Sequence, residues 1–421
     1  VSYSAEAFQN EYLAMGASEV NAIVTVTSSG GEGGRRTAEA TEIIIVDASG
    51  SMQAEGRMAA ARQAAKAAVN AIDDGVRFAI IAGVSTAQQL FPDPGQLAVA
   101  TPQSRADALR SIDRLQASGG TAMGAWLLLA TQLFDQRPGD IKHAILLTDG
   151  DNGERHGYLE SVLAQIAGRF VCDCRGVGTN WKVSELRKIA TSMLGTVDIV
   201  ARPEGLTAAF EQMITGAMGK TSADVQLKVW TPVNATVRFV KQVEPQVLDL
   251  TGKRTEDGPR AGRYPLGSWG QESRDYHICV DVPPGKSGDE MLAARISVVE
   301  GDTVHAQSLV RAVWTEDAAL STRINRQVAH YTGQAELADA IQEGIAAREA
   351  GDDRTATLKF GRAAQLAHAS GNKATEDLLA KVVEIEDAAT GTVRLRRKVN
   401  AADEMALDTQ STKTVRVGRS Q

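Results

Sequence analysis

Residues Asn21–Thr27 (NAIVTVT) alternate apolar and polar side chains and are rich in β-branched residues, the pattern of a half-buried strand. Ahead of them Ala5–Met15 reads as a helix, and behind them SSGGEGGRR reads as a flexible connector. From Thr41 the pattern changes. Short apolar runs at Glu42–Val46, Arg77–Gly83, Ala144–Thr148, Phe170–Gly176 and Val197–Ala201, with a short edge strand at Gln89–Phe91, alternate with segments of helical period. The helices are expected at Met58–Ile72, Arg105–Gln116, Met123–Phe134, Gly157–Ala167, Val183–Met193 and Gly205–Met218. Such alternation predicts a doubly wound α/β domain over residues 41–220, with a mostly parallel sheet of about six strands.

After Lys220 the helical period gives way to alternating runs at Val225–Trp230, Thr236–Val240, Tyr276–Val282, Leu292–Val299 and Val304–Trp314. They predict an antiparallel, β-sandwich-like domain over residues 221–317. Its strands are few, and the early strand within residues 1–40 lacks a partner in the α/β sheet, so that strand is expected to join the β region, with the α/β domain inserted into it. From Thr322 the helical period returns, with Leu337, Ile341 and Ile345 on one face. Gly351 and Gly371 fall where helix C-caps belong, and Asn372 where an N-cap belongs. Helices at about 335–350, 353–369 and 373–387 would make a helical bundle over residues 318–390, followed by a flexible tail at 391–421.

Length and composition narrow the function classes. A chain of 421 residues exceeds one ordinary core, and 43% hydrophobic with 23% charged residues is a globular balance. No apolar run reaches the roughly 20 residues of a spanning helix, so membrane insertion is not expected. A formal net charge of −7 argues against nucleic acid as a partner. Three cysteines, Cys172, Cys174 and Cys279, cannot all pair within one chain; read as buried, reduced thiols they suggest a cytoplasmic protein, as does the lack of a basic-then-apolar leader.

The chemistry gathers in three loops. IIIVDASGSM puts Asp47 at the C-terminal end of a buried strand, where open α/β sheets bind their ligands, and brings Ser49 and Ser51 in a turn leading into a helix. GGTAMG supplies Thr121 before another helix, and the strand AILLTDG ends in Asp149. At these residues the chain resembles the von Willebrand factor type A (vWA) family, whose metal-ion-dependent adhesion site reads Asp-x-Ser-x-Ser followed by a distant Thr and a distant Asp. The resemblance spans roughly Thr41–Lys220 and implies a Rossmann-like fold. It also implies a Mg²⁺ shell of Asp47, Ser49, Ser51, Thr121 and Asp149, with Mn²⁺ or Ca²⁺ as substitutes, and a partner protein presenting an Asp or Glu. Physical chemistry points the same way: Mg²⁺ favours six oxygens, and a shell in which three of five ligands are neutral hydroxyls leaves the ion electrophilic towards an added carboxylate. Each motif alone can also end a strand or cap a helix.

Two other readings compete. A structural or regulatory subunit would use the metal to stabilise its loops. A Mg²⁺-dependent phosphotransferase would need a second carboxylate near Asp47, as in the Asp-x-Asp of haloacid dehalogenase-like phosphatases, but Asp47-Ala48-Ser49 lacks it, and Lys142 and His143 precede their strand at its wrong end. No catalytic or cofactor-binding residue is therefore assigned. GGEGG at residues 30–34 precedes its strand and reads as a linker, Gly176-Val177-Gly178-Thr179 reads as a tight turn, and Asp151 and Glu154 read as a border to the metal face or as a solvated loop. In the tail, Thr409, Ser411, Thr412 and Thr414 lie between acidic and basic flanks, and DTQST resembles the phosphothreonine segments read by forkhead-associated domains.

Overall fold

The computed structural model describes residues 2–29 and 39–416; most of the connector, including GGEGG, lies outside them. The chain divides into two compact units, one formed by Gly34–Ala223 with Gly267–Gly270 and the other by Val1–Gly33, Asp224–Leu266 and Gln271–Gln421.

The first unit holds a sheet whose order is Val197–Val200, Val171–Val177, Ile141–Thr148, Ala40–Asp47, Arg77–Gly83 and Ala87–Phe91, with Ala98–Val99 also pairing to Arg77–Gly83. The first five of these strands run parallel, while Ala87–Phe91 and Ala98–Val99 are antiparallel. Every residue of the central strand Ala40–Asp47 is buried, as expected of a parallel strand covered on both faces. Helices Arg57–Ala71 and Leu206–Met218 bury Ala61, Ala64, Ala65, Ala68, Phe210 and Ile214 against one face of it. Ala40–Asp47 has Arg77–Gly83 on one side and Ile141–Thr148 on the other, so the strand order reverses between Asp47 and Asp149. Such a switch, at the carboxyl ends of the strands, is where open α/β sheets bind their ligands.

A charged group sits inside this sheet away from the crevice. His143 lies beside Glu42 in register, with Nδ1 2.9 Å from both Glu42 carboxylate oxygens and Nε2 3.1 Å from Asp173 Oδ2. Burial works against a charged imidazole, but the Glu42 charge and hydrogen bonds to both carboxylates outweigh it and carry the His143 pKa up to about 10. Burial also opposes ionisation of Asp173, yet His143, Arg175 and Thr196 hold its carboxyl below the usual range. The sequence placed His143 at the end of the strand remote from Asp149, and the structure gives it a structural role there.

Two further sheets belong mainly to the second unit. One runs in the order Ser2–Gln9, Glu19–Ser29, Ser273–Asp281, Thr236–Glu244, Leu248–Asp249, its pairs antiparallel. Its strand Glu19–Ser29 thus pairs with Ser273–Asp281, and not with the α/β sheet. The other runs Thr255–Glu256, Ala261–Gly270, Lys220–Trp230, Glu290–Glu300, Thr303–Thr315, Tyr12–Ala14, the last strand parallel to its neighbour. Helices Arg326–Glu349, Asp353–Ser370 and Lys373–Val382 pack about Leu337, Ile341, Phe360, Ala363 and Leu379. Tyr331, near the start of the first, packs with Ile23 and Val243 of the five-stranded sheet and donates its hydroxyl hydrogen to Asp275. Gly351 and Gly371 have φ of +76° and +68°, and Asn372 Oδ1 accepts from Thr375 N at 3.2 Å, so these caps form as expected.

Three expectations are corrected. Ala5–Met15 is not helical: Ser2–Gln9 and Tyr12–Ala14 are strands, and the helix-favouring Ala, Glu and Gln residues are overridden by pairing of Ser2–Gln9 with Ala22–Ser29 along its whole length. The third bundle helix stops at Val382, where Val383-Glu-Ile-Glu-Asp begins a hairpin with Thr392–Leu395. The region read as a flexible tail contains the helix Ala401–Gln410, whose Leu407 is fully buried in the bundle core. In and just after this helix Thr409 and Ser411 are buried, and Thr414 donates its hydroxyl hydrogen to Glu244 at 2.8 Å. These groups are part of the fold, so the reading of this segment as an extended phosphothreonine tag falls.

Replacing His143 with Leu leaves Glu42 and Asp173 buried without their cation and should cost about 3 to 5 kcal/mol in urea denaturation. A raised folded-state pKa stabilises fully below the unfolded value of about 6.5. The stability gap between native protein and His143→Leu should therefore be largest near pH 6 and shrink as pH rises towards the folded value of about 10.

Candidate metal-binding site

Asp47 ends the central strand with no exposure, and the chain turns there because Ala48 N donates to Gly83 O at 2.7 Å while Ala48 O accepts from Ser118 N at 2.7 Å. Both Asp47 oxygens are held: Oδ1 accepts from Ser49 N at 2.7 Å and Oδ2 from Thr148 Oγ1 at 2.5 Å. Burial raises the Asp47 pKa above the ordinary carboxylate value and the Asp149 charge adds to this, while the hydrogen bonds from Ser49 and Thr148 oppose it. Ser49 Oγ and Ser51 Oγ are 3.0 Å apart, and Ser51 Oγ donates to Asp149 Oδ1 at 2.6 Å. Thr121 comes to the same place through Gly150: a Cβ on Gly150 would lie 3.4 Å from Ser51 Oγ and 3.7 Å from Thr121 Oγ1. Asp47, Ser49, Ser51 and Asp149 thus touch in one chain at the switch point, and Thr121 lies near them across Gly150, on the three loops expected.

The loop carrying Thr121 is fixed from both sides. Gly119 at its start has φ of +73°, a left-handed backbone natural to glycine, and its carbonyl accepts from Gly50 N at 2.9 Å, joining it to the serine loop. On the other side Gly153 N donates to Thr121 O at 2.8 Å. Asn152 Oδ1 accepts from Met123 N at 3.1 Å, and the Glu154 carboxylate accepts from Gly124 N and Ala125 N at 2.8 and 3.0 Å. Glu154 therefore caps the helix Met123–Phe134 from another loop, satisfying two of its free N–H groups where its negative charge also favours the helix dipole. Asp151 pairs with Lys182 at 3.2 Å.

Three participants were missed in the sequence. Arg57, at the start of the helix after the serines, is buried and places Nη1 2.8 Å from Asp149 Oδ2. Thr148 immediately precedes Asp149 and bonds to Asp47 instead. Glu154, which the sequence offers only as a border to the metal face or as part of a solvated loop, instead caps the helix Met123–Phe134. For Arg57 the only available signal was a cation at the first turn of a helix, where acids are the usual choice.

The donor set is all oxygen. Among the described residues no group of three or more His, Cys, Asp or Glu gathers that could hold a metal, so the chemistry here rests on two carboxylates and three hydroxyls. Such donors suit a hard cation such as Mg²⁺ and not a thiophilic one. The 3.0 Å between the two serine oxygens fits neighbouring corners of an octahedral shell, whose edge is about 3.0 Å when ligands lie about 2.1 Å from the ion.

The profile of the von Willebrand factor type A domain matches residues 42–199, and that of the von Willebrand factor type A C-terminal domain matches residues 365–411. A structure described as von Willebrand factor type A from Catenulispora acidiphila is 49% identical, with a TM-score of 0.94, over 99% of this chain and 97% of that one. The ArnB paralog VWA2 from Sulfolobus acidocaldarius, 13% identical, shares the fold with a TM-score of 0.63 over 98% of each chain. No curated protein matches the chain.

Replacing Glu154 with Ala should destabilise the protein by about 1 to 2 kcal/mol, the usual cost of a lost helix cap. Hydrogen exchange at Gly124 and Ala125 should quicken while that of the central strand stays slow.

Proposed function

Because the chain belongs to the von Willebrand factor type A family, whose domains typically mediate protein–protein interaction, we propose that its α/β unit captures a partner protein through a metal-completed site. The observation that carries this reading is the convergence of Asp47, Ser49, Ser51 and Asp149 in one chain of contacts no longer than 3.0 Å at the sheet's switch point. Asp47, Ser49, Ser51, Thr121 and Asp149 would hold a Mg²⁺, which would supply an electrophilic position for an Asp or Glu oxygen of the partner. The protein's own part is orientation. Ser49 N–H and Thr148 fix Asp47, Arg57 and Ser51 fix Asp149, and Gly50 and Gly153 fix the loop of Thr121.

The site supports binding over phosphoryl transfer. Ser49 stands where an Asp-x-Asp motif would place its second carboxylate, and the cation beside Asp149 is an arginine, which does not exchange protons near neutrality. On the same reading, residues 41–220 are the binding domain, with the β-sandwich-like region (221–317) and the helical region (318–390) as its scaffold. No helix among the described residues is long and apolar enough to cross a membrane. The free, buried Cys172, Cys174 and Cys279 support a cytoplasmic setting.

Isothermal titration with Mn²⁺ or Mg²⁺ should show one site on the native protein and none on Asp47→Ala; unchanged affinity in that variant would rule out this constellation as the metal site. Partner capture from the native host should be lost in EDTA and restored by Mg²⁺. Capture that survives chelation would move the function to a scaffold or regulatory role.

A further inference from the structure

We propose that the outer face of the six-stranded sheet binds an acidic segment of a partner protein, and that Arg260, Trp230 and Arg295 receive it. This surface belongs to the second unit and does not depend on the metal-site reading.

Trp230 ends the strand Lys220–Trp230 and is half-buried. Its neighbours in the sheet bring one guanidinium from each side. Arg295, on the strand Glu290–Glu300, is its register partner and has Cζ 5.1 Å from the Trp230 ring centroid. Arg260, just before the strand Ala261–Gly270, has Cζ 5.2 Å from the same ring, and its carbonyl accepts from Thr231 N at 3.0 Å. Both arginines are exposed, and among the described residues neither forms an ion pair with a carboxylate. The acids next to Arg260 in sequence are engaged elsewhere: Asp257 pairs with Arg263 at 2.7 Å and with Lys228 at 2.8 Å, and Glu256 pairs with Arg254. Apolar surface adjoins each arginine. Arg260 lines a hollow of about 560 Å³ with Thr231, Pro232, Val233 and Pro259, and Val233 is 65% exposed. Leu309 stands opposite Arg295 in register and is 46% exposed.

Two like charges held to one ring repel each other, and attraction to the indole face offsets this only in part. The chain leaves them without counter-ions although it carries 52 acidic residues against 45 basic ones. A carboxylate from outside would relieve the repulsion and accept charge-assisted hydrogen bonds. Because the indole already restricts both guanidiniums, less entropy is lost when they bind. Tryptophan and arginine are also the side chains that most often carry the energy of protein interfaces. The apolar flanks specify the occupant further: a segment with Asp or Glu beside a bulky apolar residue meets the guanidiniums and the hollow together. A long polyphosphate fits less well, since a chain of net charge −7 repels an extended polyanion more than a short acidic segment.

The test uses the full chain in EDTA, so that no divalent ion holds a carboxylate and the outcome is separate from that of the metal titration. The probes are a fluorescein-labelled peptide of repeated Asp-Glu-Leu units and its analogue with Asn and Gln for the acids. At low salt, fluorescence anisotropy should show the acidic peptide binding the native protein, and added NaCl should weaken it. Arg260→Gln or Arg295→Gln should each weaken binding about threefold to fivefold, and the two together about tenfold or more. Lysine at both positions, which keeps the charge, should restore part of the affinity. If circular dichroism shows the double Gln variant unfolded, the two single variants carry the same expectation. No binding to the native protein, unchanged binding in the folded Gln variants, or equal affinity for the uncharged analogue overturns the proposal. Tighter binding of an oligothymidylate or of phosphatidylserine vesicles, lost in the same variants, would assign the face to phosphate and overturn the peptide reading. A concentration-dependent dimer in sedimentation that these variants abolish would assign the face to a second copy of the chain and overturn it as well.

Discussion

A carboxylate with no access to water ends the central strand of the α/β sheet, and the loops at the switch point are arranged around it. Burial of Asp47 would be costly without partners, and the chain supplies them from two elements: the Ser49 amide one turn ahead and the Thr148 hydroxyl on the neighbouring strand. Meeting that requirement fixes the serine turn against the strand that ends in Asp149. The same arrangement leaves hydroxyl oxygens of Ser49 and Ser51 close enough to share a cation. Stability and binding chemistry here are one constraint seen from two sides.

The α/β elements and the candidate site were legible in the sequence because both depend on local signals. Buried parallel strands must be short and apolar, their helices amphipathic, and polar side chains at strand ends fall within a residue or two of the last apolar position, as Asp47 and Asp149 do. The residues surrounding these two carboxylates were not legible. Arg57 carries no motif, and its meaning comes only from the fold bringing it 2.8 Å from a residue 92 positions away. Glu154 looked like a solvated acid, because nothing in its neighbourhood reveals that a helix start from another loop points at it.

Elsewhere the failures share one cause. Ser2–Gln9 has helix-forming side chains, Ala261–Gly270 is interrupted by Gly262, Pro265 and Gly267, and the last helix has few large apolar residues. Each takes its state from a distant partner: the strand Glu19–Ser29, the strand Lys220–Trp230, and the bundle core around Leu379 and Phe360. Local propensity is a weak prior where a neighbour supplies a full ladder of hydrogen bonds or a buried face.

The pairing of Glu19–Ser29 with Ser273–Asp281 has a consequence for how the protein is made. A hydroxyl contact between Thr27 and Ser273 joins residues 246 positions apart, so during synthesis the first strands leave the ribosome long before their partner exists. The α/β unit is nearly continuous in the chain, whereas the sheet of Glu19–Ser29 is not. Vectorial synthesis therefore gives the α/β unit the opportunity to fold first, while the edge of Glu19–Ser29 that pairs with Ser273–Asp281 stays without that partner until it emerges. An exposed edge of that kind is prone to wrong pairing, and the speed at which the intervening segment is translated sets how long it stays exposed.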